Sequence, residues 1–153
     1  VGTSEITGIT APLIQLVKAA EQWRSKPYLC PAGVPTIGWG HVIPSLDHPA
    51  ITRAQGEKWL LEDLQKARDG ALRYCPNLIG QPEARLAAVI DFVFNLGAGR
   101  LRTSRLRRAV LDEDWPRAAI QMRRWVYGGG RKLPGLVLRR AATSAWLETG
   151  EHA

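Results

Sequence analysis

Between Pro82 and Gly97 the chain reads PEARLAAVIDFVFNLG. Proline at the opening and glycine at the close are the marks of a helix start and stop. Within the segment Leu86, Val89, Ile90, Val93 and Phe94 leave little polar surface. A helix this apolar belongs at the centre of a core, with the other elements packed round it. The chain has 153 residues, the size of one ordinary domain, with room for two lobes around a cleft.

Other helices follow from spacing and caps. Leu13, Leu16, Val17 and Ala20 recur at helical intervals after Pro12, which predicts a helix over about 12–24 with Glu21 near its end. A carboxylate there opposes the helix dipole and calls for a cationic partner or a functional reason. Thr52 and Gln55 form a capping-box signature, and a long helix is predicted from there to Tyr74, about 34 Å at 1.5 Å per residue. Further helices are expected at about 102–111, 115–125 and 134–148, with GGGRKLPG as a flexible basic loop before the last. Residues 1–10 read as a loose lead-in. Residues 27–43, rich in Tyr, Val, Ile and Trp and broken by Pro31, Gly33 and Pro35, predict a hairpin or three-strand meander. Gly38 and Gly40 alternate with Ile37 and Trp39, so one face of that strand lacks side chains and admits a helix or a ligand. The fold class is α+β: a small β element over about 25–50 and a helical remainder over about 75–148.

Lys and Arg number 21 against 14 Asp and Glu, for a net charge of +7, and the arginines crowd into the second half. Such a field draws polyanions, whether nucleic acid, anionic lipid or cell envelope, or is simply a solvated face. No apolar run approaches the ~18 residues of a membrane span, and no signal-peptide pattern is present. Three His and two Cys show no metal-ligand spacing, so neither a metal nor another cofactor is expected.

The stretch AEQWRSKPYLCPAGVPTIGWGH holds Glu21, then Cys30, then Thr36. Cleaving a glycosidic bond takes an acid to protonate the leaving oxygen and a second group to activate water. Glu21 suits the first role if it is partly buried. Thr36 can hold a water but cannot be the base, and Cys30 can act only as thiolate. From the residues alone the group is suggestive and not specific, and Glu21 as a surface acid with Cys30 as buried filler stays open.

The spacing Glu–8–Cys–5–Thr followed by IGWGH resembles the phage lysozymes, or endolysins, of the T4-lysozyme type (glycoside hydrolase family 24). Their motif is Glu–8–(Asp or Cys)–5–Thr with a Gly-x-Gly-His run behind it. DFVFNLGAG and GLVLRR resemble two further family segments, and the matches span about residues 13–148. The resemblance implies a lysozyme-like fold with a cleft between a small β-containing lobe and a helical lobe joined by the long helix. It implies Glu21 as general acid, Cys30 in the place of the usual Asp, and Thr36 positioning the attacking water. Phe94 and Asn95 match cleft-lining positions. His41 matches a histidine paired with an acid on the long helix, here Asp63, as a structural strut. Arg139 or Arg140 would pair with Glu21, and Thr143 stands where relatives carry a Glu.

The implied function is muramidase activity on the β-1,4 bond between N-acetylmuramic acid and N-acetylglucosamine, lysing the bacterial host. A lytic transglycosylase and a non-catalytic basic wall-binding module are the alternatives. The implied partner is peptidoglycan in an anionic envelope rather than nucleic acid, met by a monomer. Synthesis would be in the host cytoplasm and action in the periplasm, by a signal-anchor or holin route. With Cys30 as base the product is inverted; with Cys30 as nucleophile it is retained. Cys75, beyond the far end of the long helix, should lie out of disulfide reach of Cys30, leaving two free thiols.

Overall fold

The computed structural model describes residues 7–153. Most of the predicted lead-in lies outside the described residues. Residues 7–10 are held in place: Arg68 donates to the Thr7 carbonyl at 2.7 Å, the Gly8 amide to Glu83 at 3.2 Å, and Ile9 is fully buried.

Helix α1 spans Ala11–Glu21, capped by the Thr10 hydroxyl, which accepts from the Leu13 amide. It stops three residues short of the sequence expectation because Gln22 has φ 58° and leaves the helix. That turn brings Trp23 onto Trp39, with ring centroids 4.5 Å apart. The chain then runs as a meander: β1 (Arg24–Leu29), β2 (Pro35–Gly38) and β3 (His41–Val42), antiparallel in the order β1-β2-β3. Helix α2 (Arg53–Tyr74) starts at the Thr52 cap, whose hydroxyl accepts from the Gln55 amide, and runs 22 residues, or about 33 Å. Its first turns meet the sheet. Gly56 lies under Trp23, and a Cβ there would stand 2.3 Å from the indole.

Helix α3 (Glu83–Leu96) occupies the centre, as its composition requires. Every residue from Leu86 to Val93 is buried. Helices α2 and α7 (Pro134–Thr149) pack against it, and α6 (Trp115–Arg123) lies along α7. The helix expected over 102–111 is two short pieces, α4 (Ala98–Arg102) and α5 (Arg105–Leu111). Ser104 divides them by capping α5 through the Arg107 amide. The supposed flexible loop GGGRKLPG contains a small hairpin, β4 (Tyr127–Gly128) with β5 (Arg131–Lys132). It turns on Gly129 and Gly130, whose φ values of 58° and 78° suit a two-residue hairpin turn. A small antiparallel sheet on a mainly helical body is thus the α+β arrangement, with seven α-helices among the described residues.

Candidate active site

Glu21 is the last residue of α1, where its charge is unfavourable to the helix dipole. Arg139 Nη1, from α7, lies 3.4 Å from its Oε1 and supplies the compensating cation. This decides between the two arginines the sequence left open. On the other side the carboxylate presses on Gly40: a Cβ there would stand 2.8 Å from Oε2. The two glycines of the IGWGH run therefore serve different neighbours. Gly38 faces Ile51 and the Gly56 backbone, while Gly40 makes room for the acid. Gln22 follows the acid at φ 58°, ψ 157°. This is a region that side-chain-bearing residues occupy at a cost of about 1–3 kcal/mol, so strain is stored next to Glu21.

Cys30 sits in the turn joining β1 to β2. Its amide donates to the Val34 carbonyl at 3.0 Å, and its carbonyl accepts from the Gly33 amide at 2.8 Å. The Val34 backbone, hydrogen-bonded to the sulfur, lowers the thiol from its ordinary value. Slight burial opposes this, the Ala32 backbone and the Thr36 hydroxyl reinforce it, and the charge of Glu21 opposes it again. Thr36 is buried on β2, and its hydroxyl donates to the Val34 carbonyl at 2.8 Å. Its single proton therefore has two acceptors within reach, that carbonyl and the sulfur. Tyr28, paired with Thr36 across β1 and β2, completes the group. Burial raises its phenol, the charges of Glu21 and Cys30 add to the effect, and Arg24, stacked 4.8 Å from the ring, works against it. The three residues singled out from the sequence thus share one electrostatic neighbourhood.

Behind Arg139 lies a feature that the sequence reading missed. Asp91, fully buried in the middle of α3, accepts three hydrogen bonds from Arg139 at 2.8 to 3.1 Å. Arg140, also fully buried, stands 3.6 Å from the other Asp91 oxygen and donates to Asn95. Burial works against the charge of Arg139, but Asp91 and then Glu21 outweigh it, and its pKa is raised. For Arg140 burial prevails over Asp91, with Arg139 adding to the lowering, and the group is brought down to about 10. Two carboxylates and two guanidiniums form one cluster, and Glu21 is its exposed edge. The signal was in the sequence: an acid inside an otherwise apolar helix must find buried cations.

A groove of about 450 Å³ runs from Gly40 and His41 past Asp63 and Lys66 to Phe94 and Gly97. Phe94 is half-buried, packed on the core and facing this groove, so both sequence readings of it apply. Asn95 is engaged with Arg140. His41 donates from Nδ1 to the Asp63 carboxylate at 2.8 Å and stacks on Trp59 at 4.3 Å, as a strut between β3 and α2. Both cysteines are free, and Cys75 is buried at the end of α2, where burial pushes its thiol up to about 12 against the opposing charge of Arg107.

A carboxyl group backed by an arginine and a depressed thiol hydrogen-bonded by a threonine hydroxyl are groups of the kind that can hydrolyse a glycosidic bond. The Phage lysozyme family model matches residues 18–143. A SAR-endolysin of Bacteriophage PS119 is 36% identical over 121 residues, covering 76% of this chain and 70% of its own length. An endolysin of Acyrthosiphon pisum secondary endosymbiont phage 1 is 33% identical over 138 residues, covering 88% and 93%. Among solved structures, the muramidase domain of SpmX from Asticaccaulis excentricus superposes with a TM-score of 0.76 at 25% identity, covering 92% of this chain and 96% of that one. The active form of P1 phage endolysin Lyz gives 0.81 at 23% identity, covering 92% and 85%, a likeness of fold. This chain belongs to the phage lysozyme family. Its activity is therefore that of a glycosidase, and its substrate is peptidoglycan.

Proposed function

We propose that the chain hydrolyses the β-1,4 bond between N-acetylmuramic acid and N-acetylglucosamine with inversion, and that this lyses a phage's bacterial host. Glu21 gives its proton to the leaving oxygen, and the resulting carboxylate faces Arg139 at 3.4 Å. The Cys30 thiolate takes a proton from a water held by Thr36, and that water's oxygen bonds to the anomeric carbon as the glycosidic bond breaks. Phe94 and Asn95 border the bound glycan. The observation that carries this reading is the depressed thiol of Cys30 beside Thr36, within the field of Glu21. A lowered thiol forms more readily the thiolate that a water-activating base requires.

Glu21→Gln should lower turnover on purified peptidoglycan by about 10²–10⁴-fold. Anomeric NMR at early time should show inverted product. Net retention would make Cys30 the nucleophile, and a 1,6-anhydro product would make the enzyme a transglycosylase. Because the thiolate is the active form, kcat/KM should rise with pH through the Cys30 ionisation, which is lowered from that of an unperturbed thiol. Cys30→Asp should move that limb down into the carboxylate range near pH 4. An acid limb that stays put in Cys30→Asp would remove Cys30 from the base role.

We further infer that residues 1–153 act as one catalytic unit and as a monomer, on the periplasmic side of the host membrane. The relatives named SAR-endolysins support export. No helix among the described residues is long and apolar enough to cross a membrane.

A further inference from the structure

A depression larger than the groove beside Gly40 lies elsewhere on the surface. It lies on the far part of the helical body, encloses about 830 Å³, and is lined by Arg102, Arg105, Arg107, Arg108 and Arg117 against one acid, Asp112. It shares no residue with the groove beside Gly40. A second depression of about 300 Å³ continues from it through Arg105 and Gln121 to Arg124 and Trp125. The two share Arg105 and Gln121 and form one basic channel, with a single indole, Trp125, in its lining.

The arginines divide by what already holds them. Arg107 donates to the carbonyls of Tyr74 and Arg102 at 2.9 and 3.1 Å and stacks on Tyr74. Arg117 is paired with Asp112 at 2.6 Å and with Asp114 at 3.8 Å. Arg102, Arg105, Arg108 and Arg124 have no carboxylate within ion-pair distance among the described residues. An ordinary solvated helix face intersperses acids at helical spacing. Helix α5, RLRRAVL, has none. Concave placement of like charges focuses their field. Every cation lining the channel is arginine, whose planar fork suits oxyanions with two free oxygens.

We propose that this channel is a second, non-catalytic site that binds a phosphodiester-linked polymer of the cell envelope. The extent asks for a chain rather than a single ion, because two adjoining depressions share Arg105 and Gln121. Nucleic acid fits less well. Single-strand binders offer successive aromatic platforms, and this channel offers only Trp125. The choice of an envelope polymer rests on the glycosidase reading, since a peptidoglycan hydrolase works within the cell envelope. The affinity of the channel for phosphodiesters does not rest on it. Held this way, the enzyme would stay at the wall between cleavage events.

The test is titration of the whole chain with soluble poly(glycerol phosphate) at 0.15 M salt, with polyglutamate and oligothymidylate as parallel probes. Wild type should bind the phosphate polymer, and Arg105→Glu/Arg108→Glu should weaken binding at least tenfold. Lys26→Glu/Lys58→Glu carries the same change of charge outside the channel and should weaken it less than threefold. Arg105→Gln/Arg108→Gln gives the same reading should the charge reversal upset folding, which thermal melts will report. Both channel variants should keep wild-type turnover on soluble, phosphate-free glycan fragments. Absence of binding, equal loss in the Lys26/Lys58 pair, or equal or tighter binding of polyglutamate or oligothymidylate would each overturn the proposal. The titration involves no catalysis, so a failure of the glycosidase mechanism appears separately, as absent turnover on the fragments.

Discussion

Cys30 feels the charge of Glu21 and Asp91 is linked to it through Arg139, and the surroundings of the two differ in kind. Cys30 stands in a turn between two short strands, partly open to solvent, held by backbone hydrogen bonds to Val34 and Gly33. Asp91 stands in the middle of α3 with no exposed surface, held by two arginines from α7. The turn leaves its reactive atom accessible and takes little stability from it. The helical side encloses charge at high cost, offset by the Arg139 hydrogen bonds to Asp91, although Arg140 Nε and Nη1 find no hydrogen-bond partner there. A partly open thiol and a buried ion cluster thus sit in the kinds of structure that tolerate each.

The sharpest way to break this contrast is Asp91→Ala. It leaves Arg139 and Arg140 buried without their shared anion and should cost about 3–5 kcal/mol in urea unfolding. A loss under 1 kcal/mol would mean that the cluster is not the support described here. Next in size is the alkaline response of Cys75. Its folded pKa of about 12 lies above that of an unfolded thiol, so above about pH 9 the unfolded chain loses a proton that the folded chain keeps. Stability should then fall by about 1.4 kcal/mol per pH unit toward pH 12 on account of this one residue. Cys75→Ala should show a shallower alkaline decline. Parallel declines in the two proteins would contradict the burial of that thiol. The smallest effect belongs to Cys30→Ser, which should change unfolding free energy by less than about 0.5 kcal/mol while lowering turnover. In the native wild type, iodoacetamide should alkylate Cys30 alone, at a half-maximal pH below that of a free thiol. Labelling of Cys75 at a comparable rate would erase the distinction between the two thiols.

The elements most readable in the sequence were those with local causes. Thr52 and Gln55 mark the start of α2 because the cap is made by neighbours in the chain. The apolar run of α3 places itself at the centre because nothing else can cover it. What escaped was set by partners far along the chain. The stop of α1 at Glu21 reflects Trp23 turning to meet Trp39. The division of the 102–111 helix was signalled by Ser104, whose preference for a cap was outweighed by the helical spacing around it. At the site, Glu21, Cys30 and Thr36 stand in one neighbourhood, whereas the importance of Asp91 was hidden because a single acid among apolar residues shows no spacing pattern. The Arg139 and Arg140 ambiguity had the same origin: adjacent positions on a helix point in different directions, and only the packing of α7 on α3 selects which one reaches Glu21.

The bare hydrogen of Gly40 has a practical consequence. A methyl group at that position would overlap the Glu21 carboxylate, and the backbone there, at φ 75°, already disfavours a side chain. Gly40→Ala thus displaces the acid while leaving the acid itself, its arginine and the thiol chemically intact. A protein altered in this way would be a ready-made bait, able to hold wall fragments for isolation without cutting them.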